Sequence, residues 1–456
     1  MPDRLLLKDC RLLATMDEGL GELRGASVLI AGNRIEGIGD AAELEKAFGP
    51  AGETLDMTGC VVLPGLVNAH HHFFQTLTRA LPGAQDAELF DWLKTLYPIW
   101  AGLTPEMVRV STQVAAAELL LSGCTTAADH LYLYPNGCTL DDAIEAAGEA
   151  GLRFVATRGA LSVGESQGGL PPDSLCEDEE AILLDMERVV GRHHDAGFAA
   201  MTQVALAPCS PFSVSRDLMR ETATLARRLK VGLHTHLAET GGDVAYSRER
   251  FGRTPAEYAE DLGWTGPDVW FAHCVRLDPA GINLFGRTGT GVAHCPCSNM
   301  RLGSGIAPVR AMLDAGVKVG LGVDGSASND GGHLLGEARH AMLLARVGGD
   351  PAALSAREVL RMATREGAAA LNRDDVGRLA PGMAADVAAF RVDGIAHAGA
   401  LHDPLASLVF CRPADAWYTV VDGRVVVREG RLTTLDPSTL VPAHNRLAAR
   451  LVGGGA

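Results

Sequence analysis

The chain is poor in aromatic residues, which make up 5% of its 456 positions, and poor in basic ones relative to acidic ones. Lys and Arg total 40 against 56 Asp and Glu, a formal charge of −16. That balance excludes the basic footprint by which proteins hold nucleic acid or anionic membranes. No run of about 18 uncharged apolar residues occurs, so no membrane span is predicted. The start, Met1-Pro2-Asp3-Arg4-Leu5, lacks a basic stretch followed by an apolar one; no signal peptide and a cytoplasmic location are expected. The ten cysteines include no Cys-x-x-Cys pair and read as free thiols of a reducing compartment. Cys295-Pro296-Cys297 is too tight for a structural zinc knuckle by itself.

What is abundant points to a large, closely packed α/β core. Hydrophobic residues make up 47%, and Gly alone contributes 53 residues. In the middle of the chain, short apolar runs alternate with helix-like stretches. The candidate strands are Val61–Leu63, Thr125–Ala128, Arg153–Thr157, Thr202–Ala207, Val231–His236, Val269–Ala272, Gly291–His294 and Val317–Val323. Helical stretches include Met107–Ser122, Asp178–Ala196, Ser215–Leu229 and Ile306–Ala315. Eight strands alternating with helices predict a (β/α)8 TIM barrel over residues 64–382. Both chain ends read instead as short strands and turns: Leu5–Leu13, Ala26–Ala31 and Arg34–Ile38 at the front, Ala385–Phe390, Ala416–Val421 and Arg424–Arg428 at the back. Residues 1–63 and 383–456 are expected to pair into one small β-sandwich domain, ending in a frayed Gly-rich tail over residues 453–456.

The strand ends carry the chemistry of such a barrel. Of 15 histidines, six fall at the exits of four candidate strands: His70 and His72 after the first, His234 and His236 at the fifth, His273 at the sixth, His294 at the seventh. Asp324 follows the eighth, and Glu239 lies three residues past His236. Imidazole is a common ligand for zinc, and side chains two apart on an extended segment share a face. Three imidazoles and a carboxylate suit one zinc ion with an open position for water; iron(II) also fits the donor set. Asp324 can then bind metal and accept the water's proton, and Glu239 can shuttle a proton to substrate. His71 reads as a spacer and His234 as a supporting residue. His294 stays open between ligand and support.

These motifs resemble the amidohydrolase superfamily. The matching pieces are Pro64-Gly65-Leu66-Val67-Asn68-Ala69-His70-His71-His72, His236-Leu237-Ala238-Glu239, Ala272-His273, Gly322-Val323-Asp324 and Pro381-Gly382-Met383-Ala384-Ala385-Asp386, spread over nearly the whole chain. The resemblance implies metal ligands at His70, His72, His236 and Asp324, with Glu239, His273 and Asp324 as the catalytic groups. Binuclear members bridge two metals with a carboxylated lysine on the fourth strand. Here the only lysines are Lys8, Lys46, Lys94, Lys230 and Lys318, none of them in that strand, so the mononuclear deaminase branch is implied.

Within that branch the loops are similar to those of 8-oxoguanine deaminases, in His70–Ala80, Trp92–Trp100, Asp129–Asn136, Pro208–Ser213 and His294–Asn299. Hydrolytic deamination of 8-oxoguanine to urate and ammonia is the implied reaction. The alternatives in the same frame are an s-triazine aminohydrolase or chlorohydrolase, or a deaminase of isocytosine, guanine or S-adenosylhomocysteine. Gln75, Trp92, Trp100 and Cys209 are the candidate substrate-binding residues. Gln both donates and accepts, as an oxopurine edge requires, and flat bases stack on aromatic faces. The implied partner is a small nucleobase, and a homo-oligomer is left open.

Overall fold

The computed structural model describes residues 4–453; the first three residues and residues 454–456, most of the Gly-rich tail, lie outside it. Eight parallel strands close into a barrel. They are β1 (Leu66–Asn68), β2 (Cys124–Leu131), β3 (Arg153–Ala160), β4 (Thr202–Pro208), β5 (Gly232–Leu237), β6 (Val269–His273), β7 (Gly291–His294) and β8 (Lys318–Leu321). Each neighbours the next in sequence, and the ring closes where Leu321 pairs with Asn68. Helices follow most strands, as the alternation predicts, so the (β/α)8 reading is borne out. Several start one or two residues from their predicted ends because caps decide them. Pro105 opens the helix Pro105–Leu121 behind the Thr104 side chain, which accepts the Met107 N–H. Asp178 caps Glu179–His193 and Ser215 caps Arg216–Leu229 in the same way.

One predicted barrel strand belongs elsewhere. Val61–Leu63 lies in Cys60–Pro64, which pairs antiparallel with Val387–Arg391 and parallel with Leu12–Ala14. The apolar run from Val61 to Ala69 is therefore two strands, not one. Pro64-Gly65 breaks it, and Gly65 packs so close to β2 that a Cβ there would sit 2.1 Å from Thr125 Oγ1. Only beyond that crossing does β1 enter the barrel. The front run Leu5–Leu13 also divides, into Arg4–Lys8 and Leu12–Ala14, because Asp9 turns the chain with φ of 57°.

The chain ends build two sheets. Arg34–Gly39, Ser27–Ala31, Arg4–Lys8 and Glu53–Asp56 form one of four strands. Arg431–Leu432, Arg424–Arg428, Tyr418–Val421, Val387–Arg391, Cys60–Pro64, Leu12–Ala14 and Glu22–Leu23 form one of seven. Leu5, Leu7, Val28, Ile30, Val62, Val387 and Val420 make a shared apolar core between them. A fully buried ion pair ties this unit to the barrel: Arg153 of β3 grips Asp386 with two hydrogen bonds of 3.0 and 2.7 Å. The last helix, Pro437–Val452, lies against Pro105–Leu121 and against the short helix Phe73–Thr78 that follows the histidine triplet.

Candidate active site at the barrel mouth

The ends of β1, β5, β6 and β8 bring His70, His72, His236, His273 and Asp324 together. One ring nitrogen of each of His70, His72 and His236 lies within metal-sharing distance of the others, and His70, His273 and Asp324 form an overlapping group. Asp324 Oδ1 stands 3.3 Å from His70 Nε2 and 3.4 Å from His72 Nε2. His130, from β2, joins the first group and was not predicted as a site residue. Four positions at these strand ends hold left-handed backbone: Ala238 at φ 51°, His273 at 71°, Cys274 at 51° and Asp324 at 62°. Non-glycine residues rarely adopt this conformation, and it accumulates where side chains must be aimed at a site.

The hydrogen bonds fix which nitrogen carries each proton. His72 Nδ1 meets the His130 carbonyl at 2.7 Å, and His236 Nδ1 meets the Cys209 carbonyl at 2.6 Å. A carbonyl only accepts, so both Nδ1 atoms donate. Burial pushes the pKa of both rings down, His236 to about 3, so they are neutral and their Nε2 atoms are bare lone pairs. Those lone pairs face each other across 3.2 Å. His70 follows by relay. His234 Nδ1 donates to the Trp270 carbonyl at 2.9 Å, leaving its Nε2 to accept from His70 Nδ1 at 2.8 Å. Burial holds both of these rings neutral as well, so His70 Nε2 is a third bare lone pair, without a hydrogen-bond partner. Three imidazole lone pairs therefore come together, and an Asp324 oxygen lies beside two of them. Such a group of N and O donors could hold a cation, and its chemistry suits zinc or iron(II).

The second carboxyl lies alongside. Burial pushes Glu239 up to about 8, against the lowering pull of His273. Its Oε1 is buried without a partner, and its Oε2 is 3.5 Å from His273 Nε2. His273 donates from Nδ1 to Asn299 Oδ1 at 3.0 Å; burial favours its neutral form, but Glu239 and Asp324 raise its pKa above the ordinary value. Asp324 accepts the Gly325 N–H at 2.7 Å and the Ser328 hydroxyl at 3.3 Å, both of which favour the ionised carboxylate.

A small slot of about 40 Å³ opens onto these groups, walled by Gln75, Trp92, Tyr97, Tyr132, Cys209 and Phe212 among others. Gln75 is buried with neither its amide oxygen nor its nitrogen hydrogen-bonded. Trp92 and Cys209 also reach the slot. Trp100 does not: it packs behind the wall against Phe74 and Trp92, its indole N–H on Thr78 Oγ1. His71 turns away to accept the His72 N–H and stack on Phe73, the spacer role read from the triplet. His294 is buried and belongs to none of the three metal-competent groups among the described residues. Asn299 and the His130 carbonyl escaped the sequence reading. Asn299 lay in a motif already singled out, whereas a backbone carbonyl leaves no trace in residue identity.

The profile of the amidohydrolase family matches residues 61–426. The chain belongs to the amidohydrolase family. As an amidohydrolase it is a metal-dependent aminohydrolase acting on C–N bonds, and the resemblance read from the motifs is borne out. It is 47% identical over 409 residues to an 8-oxoguanine deaminase of Pseudomonas aeruginosa, covering 89% of this chain and 90% of that one. It is 42% identical over 404 residues to an isoxanthopterin deaminase from an unknown prokaryotic organism, covering 83% and 82%. The structure of an atrazine chlorohydrolase from Arthrobacter aurescens TC1, complexed with zinc, is similar with a TM-score of 0.93 at 34% identity, covering 97% of this chain and 100% of that one. Among the described residues, no helix of this amidohydrolase is long and apolar enough to cross a membrane.

Proposed function

We propose that this chain hydrolyses 8-oxoguanine to urate and ammonia, with one divalent ion, zinc or iron(II), held by His70, His72, His236 and Asp324. The observation that carries the substrate is Gln75, a buried amide with both polar atoms unpaired on the wall of the slot. An oxopurine edge presents a donor and an acceptor side by side, which an amide matches with two hydrogen bonds. The likeness to an 8-oxoguanine deaminase over most of both chains supports the same base. The slot's small volume favours a bare heterocycle over a nucleoside such as S-adenosylhomocysteine.

The ion supplies a water acidic enough to give up a proton near neutral pH. The chain's own groups do the rest. Asp324 takes that proton as the water oxygen bonds to C2, the carbon bearing the exocyclic amine. Glu239, protonated at neutral pH, gives its proton to the adjacent ring nitrogen and makes C2 more electrophilic. His273, between the two carboxyls, steadies the attacking oxygen. Asp324 then returns its proton to the amine, the C2–N bond breaks, and ammonia leaves. The C2 hydroxyl gives its proton back to Glu239, which leaves the carbonyl of urate and restores both groups.

A steady-state screen tests this reading. The metal-loaded enzyme is offered 8-oxoguanine, guanine, isocytosine, isoxanthopterin, S-adenosylhomocysteine and chloro- or amino-s-triazines, with ammonia and chloride release measured. The expected result is the highest kcat/KM on 8-oxoguanine; a triazine or a nucleoside turned over at least tenfold more efficiently would replace the substrate assignment.

A further inference from the structure

His273 ends β6 and Asp324 lies in the loop after β8, and something must hold the two in register. Behind them lies Glu337, a buried carboxyl in the first turn of the helix Leu334–Arg346. Its Oε2 accepts the backbone N–H of Cys297 at 3.2 Å, in the short helix Pro296–Arg301 that follows β7. Its Oε1 accepts Asn329 Nδ2 at 2.7 Å, and the same amide nitrogen donates to the carbonyl of Val323, the residue before Asp324, at 2.6 Å. One carboxyl thus joins the loop after β7 to the loop after β8. The next two residues along the short helix carry the join to the reacting groups. Ser298 donates to Ser328 at 3.0 Å, which donates to Asp324 Oδ2. Asn299 accepts from His273 Nδ1.

We propose that Glu337 is a positioning residue: it locks these two loops together and so sets His273 and Asp324 at their working separation. This rests on the roles given to His273 and Asp324 above. Both oxygens of Glu337 accept, so Glu337→Gln keeps the shape but turns an NH2 group toward one of two donors. A buried donor facing a donor breaks one half of the lock.

Two readouts test the lock. In Glu337→Gln, kcat on the best substrate is expected to fall about 10- to 100-fold, the usual range for groups that orient a metal site's ligands, with KM within threefold and bound metal unchanged. Asn329→Ala removes the other half; it is expected to lower kcat in the same direction and to be non-additive with Glu337→Gln. It also decides the matter alone if the Gln variant fails to fold. Hydrogen exchange gives the second readout: residues 295–301 and 322–330 should both exchange faster, with the melting temperature little changed. Unchanged kcat in both variants, or faster exchange confined to residues 334–346, would overturn the proposal. If the parent enzyme turns over none of the panel, the function assignment fails, and hydrogen exchange still decides whether the lock exists.

Discussion

Replacing Glu239 by Gln isolates the proton donor from everything else in the site. The amide keeps the volume and the capacity to donate a hydrogen bond but carries no proton to transfer. Glu239 is positioned for the task by burial, which pushes its pKa up to about 8, and by an unpaired Oε1 in the slot. At pH 7 roughly nine carboxyls in ten therefore hold a proton. General acid catalysis contributes about 10²- to 10⁴-fold, so kcat should fall by that factor, a barrier increase of roughly 3–5 kcal/mol. The pH profile sharpens the test. The protonated form is the working one, so parental kcat is nearly full at pH 7, half-maximal near pH 8, and falls towards tenfold per unit well above it. Glu239→Gln should lose this alkaline limb along with the rate, while metal content and KM stay near parental values. Stopped assays of ammonia release from pH 6 to 10, with metal analysis of the same samples, supply the measurement. A variant within severalfold of the parent, or one that keeps the alkaline limb, would refute the assignment of Glu239 as the acid.

Asp324→Asn should cost both activity and metal, with kcat down at least 10²-fold and divalent ion per chain, measured by plasma mass spectrometry, well below parental; full metal and near-parental rate would contradict its double role. The parent should hold about one tightly bound ion per chain, and chelation should lower the melting temperature, because removing the cation leaves three lone pairs and a carboxylate facing one another. Gln75→Leu should lower kcat/KM for 8-oxoguanine by about 1–3 kcal/mol, or roughly 5- to 150-fold, while leaving metal content intact. Arg153→Ala should destabilise the fold by about 3–5 kcal/mol, since it strands the buried Asp386 carboxylate; chemical denaturation checks this, and a loss under 1 kcal/mol would show that the pair contributes little.

The sequence disclosed the parts of the site that are side chains and concealed the parts that are backbone. His70, His72, His236, His273 and Asp324 could be read from strand ends because a parallel barrel puts every such end at one mouth. The tautomers that make them lone-pair donors could not, since these depend on the carbonyls of His130, Cys209 and Trp270. Trp100 was misjudged because an aromatic residue near a pocket reads the same whether it lines the wall or packs behind it. Val61–Leu63 was assigned to the barrel for a related reason: unbroken apolarity marks burial on both faces but not which sheet the burial serves. Glu337 was illegible because its partners, Cys297 and Asn329, stand 40 and 8 positions away in the chain.

The crossing at Gly65 has a mechanical consequence. Pro64 is the last residue of a terminal-sheet strand, β1 ends at Asn68, and His70 follows within two residues. The outer sheet and the first two metal-site histidines therefore share a stiff tether without slack, clamped a second time by Arg153 and Asp386. The two units have no hinge there on which to swing. Substitutions selected in the terminal strands for solubility or heat tolerance will consequently register far from where they are made, as changes in how His70 and His72 are held at the barrel mouth.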